Sequence, residues 1–149
     1  RNVSERFLNV YPDTSRLYKK LANWAKVEPK NVLLTPGSDG AIKAVFDAFV
    51  SENERVLHTS PTFAMYEVYC KTHGAISIPL CYSRSSNGPE LSAEKLVGAI
   101  TAKRPRLVCL PNPDSPTGTF FEQEVIEEVI IAIERNQQDK YLEEIKLKI

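Results

Sequence analysis

From Asn31 onward the chain switches repeatedly between two periodicities, and that alternation constrains its fold more than any other feature. Asn31-Val32-Leu33-Leu34-Thr35 is a short apolar run ended by Pro36-Gly37, the pattern of a buried strand. Apolar residues then recur at Ala41, Ile42, Val45, Phe46, Ala48 and Phe49, which is helical spacing, and Ser38 or Asp39 can cap the start. Residues 55–59 read as the next strand, closed by Ser60-Pro61-Thr62, and residues 63–73 as a helix stopped by Gly74. Residues 75–82 form a third strand in which Pro79 indicates an edge position or an irregularity. After a loop at 83–89, a helix opens at Ser92 and runs to about Ile100, and residues 106–110 make a fourth strand. Residues 122–135 are a strongly amphipathic helix, and the tail from Asp139 keeps helical spacing at Leu142, Ile145 and Ile149.

Strands separated by helix-length segments predict an α/β domain: a mostly parallel sheet flanked by helices in three layers. In such sheets ligands bind where the loops gather, at the carboxyl ends of the strands. The length of 149 residues fits one domain, and 19 Lys+Arg against 19 Asp+Glu argue against a nucleic-acid or anionic-membrane partner held by bulk charge. No apolar run approaches the roughly 20 residues of a membrane-spanning helix. Cys70, Cys81 and Cys109 are an odd, widely spaced set, neither a disulfide framework nor a zinc site, which points to a reducing, cytoplasmic setting. His58 and His73 lack ligand-spaced partners, so no metal is expected, and Asn2-Val3-Ser4 is taken as a chance sequon. The chain begins with Arg1 and its only methionine is Met65, which suggests a processed N-terminus or a piece of something longer.

Three strand-end loops could carry chemistry. Pro36-Gly37-Ser38-Asp39-Gly40 places free N–H groups and the positive end of a helix dipole where a phosphate could sit; taken alone, it also reads as a tight turn with an ordinary cap. In Ser60-Pro61-Thr62-Phe63-Ala64-Met65-Tyr66, Phe63 could lie flat on a planar ligand or pack in the core, and Tyr66 and Tyr69 read as packing residues. Residues 112–118 hold Pro113 and Pro116, with Pro111 just before them; these three prolines stiffen the segment, which suits presentation of one or two side chains or a plain proline-rich turn.

Taken in order, Tyr11-Pro12-Asp13, residues 35–40, residues 60–66 and Pro111-Asn112-Pro113-Asp114-Ser115-Pro116-Thr117-Gly118 resemble the fold-type-I pyridoxal-phosphate aminotransferases, most closely the histidinol-phosphate aminotransferase-like branch. The resemblance runs from about Tyr11 to Arg135. It implies a pyridoxal 5'-phosphate cofactor, small-molecule amino donor and acceptor, and a homodimer. It also implies that Ser38, Asp39 and Gly40 form the phosphate cup, that Phe63 stacks on the pyridine ring, and that Tyr11 reaches the phosphate of the neighbouring subunit's cofactor. Residues 112–118 would lie beside the cofactor's 3-hydroxyl. The chain departs from the family at Ser115, where Asn is usual, at Gly40, where Glu is common, and at Val10, where Arg often precedes Tyr-Pro.

Pyridoxal-phosphate chemistry needs a Schiff-base lysine and an acid at the pyridinium nitrogen. In the family both follow the Pro-Thr-Gly segment, in Asp-Glu-Ala-Tyr-like and Ser-Lys-like motifs that this sequence does not contain. Asp139 and Tyr141 match only superficially, and Lys140, Lys146 and Lys148 read as the solvated face of a charged helix. The expectation is a partial cofactor-binding large domain over 1–136, a charged helical tail over 137–149, and no transamination by this chain alone. Two alternatives stand beside it. One is a non-catalytic remnant that binds a partner or a phosphate ligand, and the other a related enzyme such as a phospho-amino-acid decarboxylase.

Overall fold

A computed structural model of the protein describes residues 10–146. The readings of the sequon at Asn2, of Lys148 and Ile149, and of the tail side chains from Asp139 onward lie outside the described residues. The chain forms two compact units that part between Ala41 and Ile42, and each is taken by itself below.

The first unit holds α1 (Ser15–Ala25), a helix absent from the periodicity reading above, and a short 3-10 turn at Pro29–Asn31. The Asp13 carboxylate accepts a hydrogen bond from Ser15 N (3.0 Å) at the start of α1, and Lys26, left-handed at φ 56°, ends it. The expected strand at 31–35 is corrected here. Asn31 closes the 3-10 turn, and residues 32–35 are in no ladder, with Leu33 70% exposed. Apolar and β-branched residues lower the cost of extended backbone, but a strand also needs a neighbour to take its hydrogen bonds. Here Leu34 N donates instead to the Tyr18 hydroxyl (3.2 Å).

Helix α2 (Gly37–Phe49) crosses from the first unit into the second. The second unit continues with β1 (Arg55–Ser60), α3 (Met65–Thr72), β2 (Ile76–Cys81), β3 (Ser83–Ser85), β4 (Gly88–Glu90), α4 (Ala93–Lys103), β5 (Leu107–Cys109) and α5 (Gln123–Lys146). Its main sheet has the order β2-β1-β5, and both pairings are parallel. Pro79 therefore sits on an outer strand, opposite His58, where a missing N–H is tolerated. Central β1 has four consecutive buried residues, as expected of a strand covered on both faces.

Successive β1 side chains point to opposite faces. Val56 joins Phe46 and Val50 from the α2 end, Tyr66, Tyr69 and Cys70 from α3, and Cys109. On the other face Leu57 joins Leu96 and Ile100 of α4, Val129 and Ala132 of α5, and Leu91 and Phe121. Each fully buried aliphatic side chain contributes about 1.5–3 kcal/mol through the water it excludes. The three layers expected from the alternation are thus present in this unit.

Other boundaries follow from caps. Ser92 Oγ accepts from Lys95 N (3.2 Å) to start α4, which runs three residues past Ile100 to Lys103 before left-handed Arg104 (φ 45°) ends it. Gly74 at φ +64° turns the chain out of α3 towards β2. The loop expected at 83–89 is instead a hairpin, β3 with β4, joined by Ser86-Asn87. Ser85 Oγ donates to Gly88 O and accepts from Asn87 N, so the turn supplies its own hydrogen bonds where a longer loop would need water. Finally, α5 passes without a break through Asn136 and Gln137 to Lys146.

Candidate functional site

In the first unit, Gly37 is the first residue of α2, which places Ser38 and Asp39 inside the first turn rather than at the capping position expected above. Thr35 forms the approach: Gly37 N donates to Thr35 O (2.8 Å) and Thr35 Oγ1 donates to Gly37 O (2.8 Å). Gly37 has φ +77°, a conformation that disfavours side chains. A Cβ on Gly40 would lie 2.8 Å from Pro36 Cδ, so glycine at this position lets Thr35-Pro36 fold over the opening turn. Ser38 and Asp39 are exposed. The first N–H groups of a thirteen-residue helix, a serine hydroxyl and a positive dipole end form a donor set that fits a phosphate monoester. Tyr11, in the same unit, is fully exposed.

In the second unit, the ends of β1, β2 and β5 bring together a cluster that the sequence reading passed over. Asp114 is 3% exposed, and its carboxylate accepts from three hydroxyls. Thr59 Oγ1 of β1 donates at 2.6 Å, Thr62 Oγ1 of the β1–α3 loop at 2.7 Å, and Tyr82 OH, just past β2, at 2.5 Å. Its backbone is also engaged: Asp114 N donates to Thr119 O (2.8 Å) and Gly118 N to Asp114 O (2.7 Å). Asn112 closes the base of the same loop, its Nδ2 donating to Phe121 O (2.9 Å) and its Oδ1 accepting from Phe121 N (2.8 Å). Ser115, next to Asp114, is exposed. The loop 112–118 is thus held rigid from beneath and presents its next residue outward, as a binding segment requires.

Phe63 is partly exposed and meets Tyr66 edge-on, with ring centroids 6.2 Å apart. Tyr66 itself is buried, lies over His58 at 6.4 Å and 21° and, with Tyr69, packs in the core as read from the sequence. His58 is also buried: Nδ1 donates to Thr59 O (2.8 Å), which leaves Nε2 to accept from the Ser77 hydroxyl (2.8 Å). That assignment ties β1 to β2 and leaves the ring a structural role. Burial pushes the Tyr66 phenol up to about 12, with Cys109 and Asp114 adding to it, and burial also pushes the Cys109 thiol to about 12. Tyr82 is raised to about 12 by burial and then by its bond to Asp114. These groups stay neutral at physiological pH. Among the described residues no group of three or more His, Cys, Asp or Glu could hold a metal ion, and no helix is long and apolar enough to cross a membrane.

A cavity of about 470 Å³ opens elsewhere, lined by Arg55, Ile76, Ile100, Arg104, Arg106 and Ile133 among others. Arg55 and Ile76 are the first residues of β1 and β2, so this cavity lies at the end of the parallel sheet opposite Asp114. Loops 60–66 and 112–118 are at the carboxyl ends of β1 and β5, and the candidate site of this unit is placed there.

Parallel strands with a glycine-bounded helix start after Pro36 and a pinned Pro-Thr-Gly loop define a class of protein that comparison with known sequences identifies. The profile of the family aminotransferase class I and II matches residues 3–137, and the chain belongs to that family. It is similar to the histidinol-phosphate aminotransferase of Thermoanaerobacter sp. (strain X514), 36% identical over 130 residues, which are 86% of this chain and 36% of that protein. It is also similar to the histidinol-phosphate aminotransferase of Sulfurisphaera tokodaii, 35% identical over 104 residues, 70% of this chain and 29% of that one. Among solved structures, the histidinol-phosphate aminotransferase from Clostridium acetobutylicum is 25% identical with a TM-score of 0.71, over 89% of this chain and 37% of its own. The Sinorhizobium meliloti enzyme, solved in complex with pyridoxal-5'-phosphate, is 22% identical with a TM-score of 0.72, over 83% and 33% respectively, and shares the fold. The chain spans about a third of the length of the curated relatives it matches.

Proposed function

We propose that this chain belongs to a pyridoxal-phosphate-dependent aminotransferase of the histidinol-phosphate aminotransferase type, and that it contributes the cofactor-positioning part of the large domain. The observation that carries the reading is the family match over residues 3–137, which contains every position assigned below. The N–H groups of Ser38, Asp39 and Gly40 would bind the cofactor phosphate, in line with the donor set at the start of α2. Phe63 would cover one face of the pyridine ring. Ser115 would reach the 3-hydroxyl side with a hydroxyl, shorter than the Asn amide usual there and able to donate one hydrogen bond. Tyr11 would complete the phosphate site of a partner subunit, which makes the working enzyme a homodimer. When bound, the cofactor supplies an electron sink for the amino-group exchange between an amino acid and a 2-oxo acid or related carbonyl compound.

No residue of this chain is assigned as the Schiff-base lysine. The proposed chemistry therefore calls for a lysine outside the positions matched here. The test is to add pyridoxal phosphate to the full-length protein, follow the visible absorbance of the bound cofactor, reduce with borohydride and map the modified lysine by mass spectrometry. A reducible lysine adduct is the expected result. A full-length protein that binds the cofactor nowhere, or binds without a lysine adduct, defeats the proposal. Intact mass decides between this reading and a partner-binding remnant: material close to 16.8 kDa favours the remnant, and a much larger mass the enzyme.

A further inference from the structure

We propose that Asp114 is the positioning residue of the candidate site: its buried carboxylate gathers the ends of three elements and fixes where loop 112–118 presents Ser115. The part that concerns the cofactor rests on the function proposed above.

Four observations carry this. The carboxylate is almost wholly buried, and burying a charged group is costly unless its lone pairs are filled. Among the described residues its hydrogen-bonding partners are hydroxyls: Thr59 and Tyr82 on Oδ2, Thr62 on Oδ1. Among the described residues no cation is paired with it, so the group is held by neutral donors in place of a salt bridge, with bonds to a charged acceptor roughly twice as strong as neutral ones. The three donors come from places far apart in sequence, separated from Asp114 by 55, 52 and 32 residues. They lie at the end of β1, in the loop leading to Phe63, and just beyond β2. One side chain thereby ties the β1–α3 loop, which carries Phe63, to the loop that carries Ser115. Lastly, the bonds Gly118 N to Asp114 O and Asp114 N to Thr119 O fold the loop back on the same residue, so moving Asp114 moves Ser115 with it.

Residue chemistry at this position is restrictive. The three hydroxyls each donate, so the group facing them must accept at both oxygens. An amide of the same shape turns one acceptor into a donor and sets it against a hydroxyl hydrogen. Asp114→Asn therefore changes the loop anchor with almost no change in volume.

The experiment uses the full-length protein, wild type, Asp114→Asn, Thr62→Val and Thr62→Ser, and reads two things. Amide hydrogen exchange across 112–119 reads the anchor without any cofactor. Pyridoxal-phosphate affinity and the absorbance spectrum of the bound form read its consequence. Asp114→Asn is expected to raise exchange in 112–119 at least tenfold while exchange in β1 and α4 stays as in wild type, to weaken cofactor binding about tenfold, and to shift the bound spectrum. Thr62→Val is expected to reproduce part of both effects, and Thr62→Ser, which keeps the hydroxyl, to restore them. Unchanged exchange in 112–119 in Asp114→Asn overturns the anchor. Faster exchange with wild-type affinity and spectrum overturns the link to the site. If wild type binds no cofactor, the function proposed above fails, and the exchange measurement still decides whether Asp114 is the anchor. If Asp114→Asn does not fold, the Thr62 pair decides the same question at a partly buried donor.

Discussion

Tyr82→Phe isolates one of the three bonds on Asp114 and gives it a magnitude and a pH signature. The substitution keeps the ring, which packs with the α4 and α5 side chains, and removes the hydroxyl that donates to Asp114 Oδ2 at 2.5 Å. A hydrogen bond to a charged group contributes about 1.5–3 kcal/mol in mutational series, and partial exposure brings that down to about 1–2 kcal/mol. The phenol carries a separate, pH-dependent signature. It is displaced from 10.0 to about 12, by burial first and by the Asp114 bond second. At about 1.36 kcal/mol per unit this sets a ceiling near 2.7 kcal/mol on the stability lost when the phenol ionises, burial included, which solvent screening at a half-buried site reduces to about 1–2 kcal/mol.

Because the folded pKa lies above the unfolded value, the fold favours the neutral phenol. The stabilisation is fully present below pH 10 and is lost as pH rises through about 12. Urea unfolding at neutral pH is expected to show Tyr82→Phe less stable by about 1–2 kcal/mol, equivalent to roughly 2–8 °C in Tm for a chain of this size. The gap should narrow on the alkaline side of pH 10. In alkaline absorbance titrations, the tyrosine missing from the variant should be one that titrates well above 10 in wild type. Equal stability at neutral pH, or loss of a tyrosine that titrates near 10, would refute the reasoning.

Three further substitutions probe other parts of the chain. Leu57→Ala removes a fully buried side chain from the centre of β1, and a loss of about 2–5 kcal/mol is expected in chemical denaturation. Ser92→Ala leaves Lys95 N without its capping oxygen and should cost about 1 kcal/mol, read as a lower midpoint in thermal unfolding followed by circular dichroism. Phe63→Ala takes away the proposed stacking face, worth about 0.5–1.5 kcal/mol, so pyridoxal-phosphate affinity in the full-length protein should fall about 2- to 12-fold, measured by equilibrium dialysis.

The parts of the fold legible in the sequence are those where one local pattern decides the outcome. Four buried residues in β1 read directly as a strand, Pro79 as an edge position or an irregularity, of which the sheet order bears out the first, and Ser92 as a helix start. Residues 31–35 carry an equally clear strand pattern and are not one, because a ladder depends on a neighbour that no local window contains. The hairpin at 83–90 fails for the opposite reason: its strands are three residues each, too short to show alternation, and only the Ser86-Asn87-Gly88 turn betrays them. Helix α1 has no such excuse: Leu17, Tyr18, Leu21 and Ala22 recur at helical spacing, and it precedes Asn31, where the alternating pattern begins.

The candidate site divides along the same line. Ser38, Phe63 and Ser115 could be picked out because motif order marks them, whereas Asp114 lies within the most conspicuous motif and was read past. Its significance depends on Thr59, Thr62 and Tyr82, and no spacing rule connects residues 32 to 55 positions apart. What connects them is the sheet. Parallel pairing of β1 with β2 brings the β2 end beside the β1 end, and alternation along β1 turns Thr59 to the same face as Leu57, the face that Tyr82 also packs on. Thr59 and Tyr82 then aim at one point, and β5, parallel to β1 on its other side, carries the chain to that point at Asp114. An acidic residue entering there meets hydroxyls already in place, so the topology that builds the core also creates the conditions under which a carboxylate can be buried without a cation.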